Sequence, residues 1–156
     1  PGVMVGPEVE KTALVRHCAR MFNTGANLSV PMFGLIIRKA YGLGVQAMCG
    51  GSSKVPFFTA AWPTAEFAGM AIEGSVKLAY RSEFQEMDSA EERIRVFKEQ
   101  VDKAYDRARA VNSAEFYGIE DVIDPAISRD WIVAGLNAIP QAPTRTGKKR
   151  PFIDTW

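Results

Sequence analysis

The chain has 156 residues, of which 47% are hydrophobic, enough for one domain with a buried core. Its 19 basic residues nearly cancel 18 acidic ones, and a net charge of +1 excludes a global pull toward nucleic acid or anionic membrane. No stretch approaches the ~20 consecutive apolar residues of a membrane span, and no basic-then-apolar leader opens the sequence.

Pro1-Gly2-Val3-Met4-Val5-Gly6 carries no initiator Met and reads as the start of a piece cut from a longer protein. Gly6 and Pro7 open a first helix, because proline at an early position forfeits no hydrogen bond and Glu8 and Glu10 complement the positive dipole end. Leu14, Cys18, Met21 and Phe22 follow at helical spacing, and this helix is expected to stop near Thr24-Gly25. His17 is the one histidine, so a Ser-His-Asp or Cys-His mechanism within the chain has to use it. No nucleophile or carboxylate motif is placed with it, and it reads as a surface or structural residue. Cys18 and Cys49 belong to no CxxC pair, which speaks against a disulfide framework or a zinc site and for reduced thiols in a cytoplasmic protein. No metal site is expected.

The apolar run from Met32 to Ile37 suits a buried strand. Beyond it, Tyr41-Gly42-Leu43-Gly44 is expected to turn sharply, and Val45 to Met48 resumes a helical pattern. A strand, a glycine turn and a helix start leave backbone N–H groups unpaired at the positive end of a dipole, where an anion or a developing oxyanion is stabilised.

Cys49-Gly50-Gly51-Ser52-Ser53 reads as a loop, and Phe57 to Trp62, closed by Pro63, as a second strand. Thr64 is expected to cap a helix running from Ala65 toward Leu78, split by Gly69 and Gly74 into one or two short pieces. Ser89-Ala90-Glu91-Glu92 has the capping-box form, and the helix it starts is expected to reach about Val111 on a stripe of Ile94, Phe97, Val101, Ala104 and Ala108. Glu91 with Arg95 and Glu99 with Lys103 are expected surface pairs. Ile119 to Ile123 is a short strand, and Asp124 caps a last helix opened by Pro125 and carrying Trp131 and Leu136. The tail over 140–156, with Arg145, Lys148, Lys149 and Arg150, reads as an extended basic arm, leaving 1–139 as the folded domain. Strands alternating with helices define an α/β class.

Two chemistries compete for the turn. Gly42-Leu43-Gly44-Val45-Gln46-Ala47 matches G-x-G-x-x-A, the dinucleotide-binding form, but Arg38 to Tyr41 separate it from the strand and Glu66 falls after Pro63 in a new helix. Gly50 to Lys54 lacks the spacing of a Walker-type phosphate loop. The other chemistry needs only backbone amides at a developing oxyanion and no titrating side chain, in keeping with a chain that offers no acid-base constellation.

Val30-Pro31, Arg38-Lys39-Ala40-Tyr41-Gly42, Ala61-Trp62-Pro63-Thr64-Ala65-Glu66 and Gly74-Ser75-Val76 resemble, in that order, the C-terminal half of the carboxyltransferase subunit of biotin-dependent acyl-CoA carboxylases. The opening Pro1 to Gly6 and Asp121-Val122-Ile123-Asp124-Pro125 are similar to that family too. The resemblance implies a crotonase-like spiral of strand-strand-helix units, here without its N-terminal domain and first strands. It implies carboxyl transfer from carboxybiotin, held on a carrier domain, to the α-carbon of an acyl-CoA. It places Tyr41, Gly42, Leu43 and Gly44 at the biotin, with the Leu43 and Gly44 N–H groups on the ureido oxygen. A substrate-selecting aspartate of some members aligns with Gln46. The implied partners are the acyl-CoA, biotin carboxyl carrier and biotin carboxylase components and further carboxyltransferase subunits, with neither nucleic acid nor membrane. A non-catalytic assembly module is the remaining alternative.

Overall fold

The run Phe58-Thr59-Ala60-Ala61 forms β3 (Phe58–Ala61), and all four of its residues are buried, as expected of a parallel strand covered on both faces. In the computed structural model, which describes residues 2–116, 118–141, 144, 146–148, 152 and 153, β3 is the middle of a parallel three-stranded sheet. β1 (Phe33–Ile36) pairs on one side and β5 (Asp121–Val122) on the other. Small residues let the layers close: a Cβ on Gly34 would lie 2.8 Å from the Thr59 hydroxyl across the ladder. That hydroxyl donates to the Ser53 carbonyl at 2.6 Å, so the fully buried Thr59 leaves no polar atom unpaired.

The last helix, Ser128–Ala138, covers this sheet. α1 (Pro7–Glu10) and α2 (Leu14–Ala26) precede β1; β2 (Lys39–Tyr41) and α3 (Gly42–Met48) follow it. After β3 come β4 (Glu66–Ala68), α4 (Ile72–Ala79), α5 (Arg81–Glu86), α6 (Ala90–Ala108) and α7 (Ala110–Glu115). β5, a short 3₁₀ turn (Pro125–Ile127) and α8 (Ser128–Ala138) complete the described elements. Phe58 stacks between Phe33 and Trp131 with ring centroids 4.9 and 5.4 Å away, and Gly135 on α8 gives the rings room. β2 and β4 form a separate parallel pair, with Lys39 opposite Glu66 and Tyr41 opposite Ala68.

Several expectations change. The first helix is two, because the Thr12 hydroxyl donates to the Val9 carbonyl at 2.6 Å and Ala13 turns to φ +60. The segment after Thr64 is strand β4, not helix: the Glu66 N–H enters the ladder by donating to the Arg38 carbonyl at 2.7 Å, and Thr64 donates to the Ile37 carbonyl instead of capping. The long helix stops at Ala108, where Arg109 takes an extended conformation and the Ala110 N–H donates to the Ala65 carbonyl at 3.0 Å. Arg95 lies 3.8 Å from Glu92, not Glu91, while the Glu99–Lys103 pair forms at 2.6 Å. The expected cap at Ser89 is in place, accepting from the Glu92 N–H, whereas Asp124 accepts from the Ala126 N–H to cap the 3₁₀ turn, and the last helix, expected to open at Pro125, starts at Ser128 without a side-chain cap. Of the basic tail, Arg145, Lys149 and Arg150 lie outside the described residues.

Candidate functional site

The glycine turn is a junction between β2 and α3. Tyr41 ends the strand in an extended conformation, and α3 begins at once with Gly42, earlier than the expected start at Val45. Gly42 has φ +52, and a Cβ there would lie 2.5 Å from the Gly69 carbonyl oxygen. Only glycine meets both conditions without displacing backbone.

The first turn of α3 leaves backbone donors without helical acceptors. Among the described residues, no loop, turn or cap hydrogen bond is donated by the N–H of Leu43 or Gly44. As the second and third residues of the helix they have no acceptor within it either. Leu43 is 61% exposed, and Gly44 stands on the wall of an apolar cavity of about 710 Å³ with Val3, Met21, Leu35 and Val45. Gln46 is exposed on the same helix.

Beneath the turn the side chains are already engaged. Tyr41 is buried, and its phenol donates to Glu66 Oε2 at 2.7 Å. Burial, then the hydrogen bond and charge of Glu66, push this phenol far above its ordinary range, so it remains a donor at every working pH. Lys39 Nζ lies 5.8 Å from the centre of the Tyr41 ring. Tyr105 on α6 donates to Glu73 on α4 at 2.6 Å, which lowers the Glu73 carboxyl and raises the Tyr105 phenol. His17 is exposed on α2, and burial raises the Cys49 thiol away from thiolate. Among the described residues, no three His, Cys, Asp or Glu side chains are grouped to hold a metal ion. The donor set at the turn is two main-chain amides, suited to an oxygen that carries or gains negative charge.

Comparison with known proteins decides the family. Residues 1–153 match the carboxyl transferase domain. The chain belongs to the carboxyl transferase family. It is 32% identical over 152 residues to the uncharacterized carboxylase YngE of Bacillus subtilis (strain 168), covering 97% of this chain and 29% of that protein. It is 31% identical over 157 residues to the methylmalonyl-CoA carboxyltransferase 12S subunit of Propionibacterium freudenreichii subsp. shermanii, covering 96% and 28%. The chain thus spans less than a third of the length of the curated relatives it matches. Among solved structures, a single-chain, multi-domain long-chain acyl-CoA carboxylase is 48% identical with TM-score 0.75, over 86% of this chain and 13% of that one. The transcarboxylase 12S hexamer structure is 27% identical with TM-score 0.78, over 97% and 29%. The carboxyl transferase fold is crotonase-like, the class expected from the sequence.

Within this carboxyl transferase chain the structure brings Tyr41, Gly42, Leu43 and Gly44 into one junction, with Gln46 a turn further along α3. Glu66 is the residue whose part the sequence concealed. Its position after Pro63 suggests a new helix; it sits instead on β4, its carboxylate accepting from the Tyr41 phenol. The signal for it lay in the Ala61-to-Glu66 block, whose buried Ala61 and Ala65 fix the chain on either side of Pro63.

Proposed function

We propose that this chain is the biotin-facing part of the carboxyltransferase of a biotin-dependent acyl-CoA carboxylase, an enzyme moving a carboxyl group to the α-carbon of an acyl-CoA. Two N–H groups that find no acceptor among the described residues, at a turn that only glycine can make, carry the reading. Carboxybiotin, delivered on a carrier domain, supplies the activated carboxyl group. Leu43 and Gly44 would hold the ureido oxygen through their amides, Gly42 lets the turn approach closely, and buried Tyr41 supports the turn from below. Each oriented donor is worth about 3 kcal/mol where charge develops on the oxygen, and no side chain has to titrate.

The relative of 48% identity, a long-chain acyl-CoA carboxylase, supports an apolar acyl group for this chain as well. Gln46 fits that class, since it brings no charge to the position where some members of the family have aspartate. Biotin carrier and biotin carboxylase components and further copies of the carboxyltransferase are the proposed partners, the last supported by the hexamer of the 12S relative. The proposed compartment is the cytoplasm; among the described residues no helix is long and apolar enough to cross a membrane.

Gly44→Pro in the complete subunit deletes one donor at a first-turn position that accepts proline. Carboxyl transfer from carrier to acyl-CoA should fall about 100- to 1,000-fold with the melting temperature retained. Unchanged turnover rejects the assignment. The assembly-module reading draws on α2, none of whose residues is buried although its apolar side chains lie on one face; an oligomer that forms with wild-type strength from a subunit inactive in every assay would favour it.

A further inference from the structure

The Tyr41–Glu66 pair ties the candidate amides to the rest of the fold. Tyr41 is the residue before α3, and no side chain caps that helix. The body of α3 packs against α2, and the aim of its first turn depends on what holds Tyr41 and Gly42. The parallel register puts Lys39 opposite Glu66, so Tyr41, two residues on, shares a face with Glu66 as a diagonal neighbour. The phenol spans that diagonal at 2.7 Å, and the ring is packed with Ile72 of α4 and Ala108 of α6. One residue further, the Gly69 carbonyl beyond β4 closes on Gly42. β4 and its C-terminal extension therefore grip the junction at two consecutive residues, and the Glu66 carboxylate adds a side-chain hydrogen bond to the backbone ladder of β2 and β4.

We propose that Glu66 is a positioning residue for carboxyl transfer, acting through the Tyr41 phenol to aim the Leu43 and Gly44 amides. The proposal rests on the amide reading above but concerns two side chains, not the amides themselves. Tyr41 is 4% exposed, too deeply buried to meet a ligand with its ring. Its hydroxyl is spent on Glu66. Misaiming donors by a fraction of an ångström costs rate while leaving the acyl-CoA contacts as they are.

The test uses the complete subunit with its biotin carrier. Tyr41→Phe removes one oxygen from a buried site and should lower kcat about 10- to 100-fold with KM for the acyl-CoA unchanged. Glu66→Gln, whose amide oxygen still accepts from the phenol, should keep kcat within about threefold, while Glu66→Ala should match Tyr41→Phe. Independently of activity, hydrogen exchange at Cys49 and Gly51, whose N–H groups bond back into α3, should quicken in Tyr41→Phe and stay slow in Glu66→Gln. Wild-type kcat and exchange in Tyr41→Phe overturn the proposal, whether or not Glu66→Ala folds. Loss of activity in Tyr41→Phe beside full activity in Gly44→Pro would instead reject the amide reading and, with it, the role given to the pair.

Discussion

The two sheets of this molecule are built on opposite terms. The β1-β3-β5 sheet is held by apolar area: four buried residues on β3, an aromatic stack of Phe33, Phe58 and Trp131, and glycines that let the layers meet. The β2-β4 pair has three residues per strand and a smaller apolar backing of Tyr41, Ile72 and Ala108, and its end is fixed by specific contacts, the Tyr41–Glu66 bond and the close Gly42–Gly69 approach. Area distributes stability over many atoms, so the first sheet is where stability resides. Single contacts fix direction, so the second is where an aimed group belongs.

Substitutions in each sheet should separate these roles. Phe58→Ala removes the centre of the stack and should destabilise by about 3–5 kcal/mol, read from the denaturation midpoint. Carboxyl transfer by the fraction that stays folded should be little changed. Gly42→Ala combines a left-handed backbone with a collision against the Gly69 carbonyl and should cost about 2–3 kcal/mol. Its loss of turnover should far exceed its loss of folded protein, and a matching loss of both would erase the contrast between the sheets.

Thr59→Val keeps the shape of the buried side chain and strands the Ser53 carbonyl, for about 1–3 kcal/mol with no change in turnover per folded molecule. The smallest effect is at Glu120, which lies beside the first sheet and accepts from Lys54 at 2.9 Å and from the Thr59 N–H at 2.6 Å. Burial raises its carboxyl, but the Lys54 and Thr59 donors outweigh burial and hold it below 4.5. A lowered folded value stabilises above about pH 4.5, and that stability is lost as the pH falls through the folded value. With 38% of the side chain exposed, screening limits the contribution to about 1 kcal/mol or less. Melting temperatures of Glu120→Gln and wild type should converge toward pH 3, and a constant gap across the range would contradict the sign.

The hydrophobic pattern of the chain announced β1, β3, β5, α6 and α8, because a buried run or an apolar stripe is written in consecutive residues. The Ser89 and Asp124 caps were legible for the same reason: donor and acceptor lie within three residues of each other. The glycine junction was legible as a place, though not in its register with β2. What stayed hidden is what long-range pairing decides. Glu66-Phe67-Ala68 has no strand-like alternation and becomes β4 only because β2 lies alongside, and Arg109 breaks a sound helical stripe only because Ala65 claims the next N–H. Local propensities of a few tenths of a kcal/mol yield to hydrogen bonds offered by residues about 25 to 45 positions away, so the bond from Tyr41 to Glu66 is decided by the fold itself.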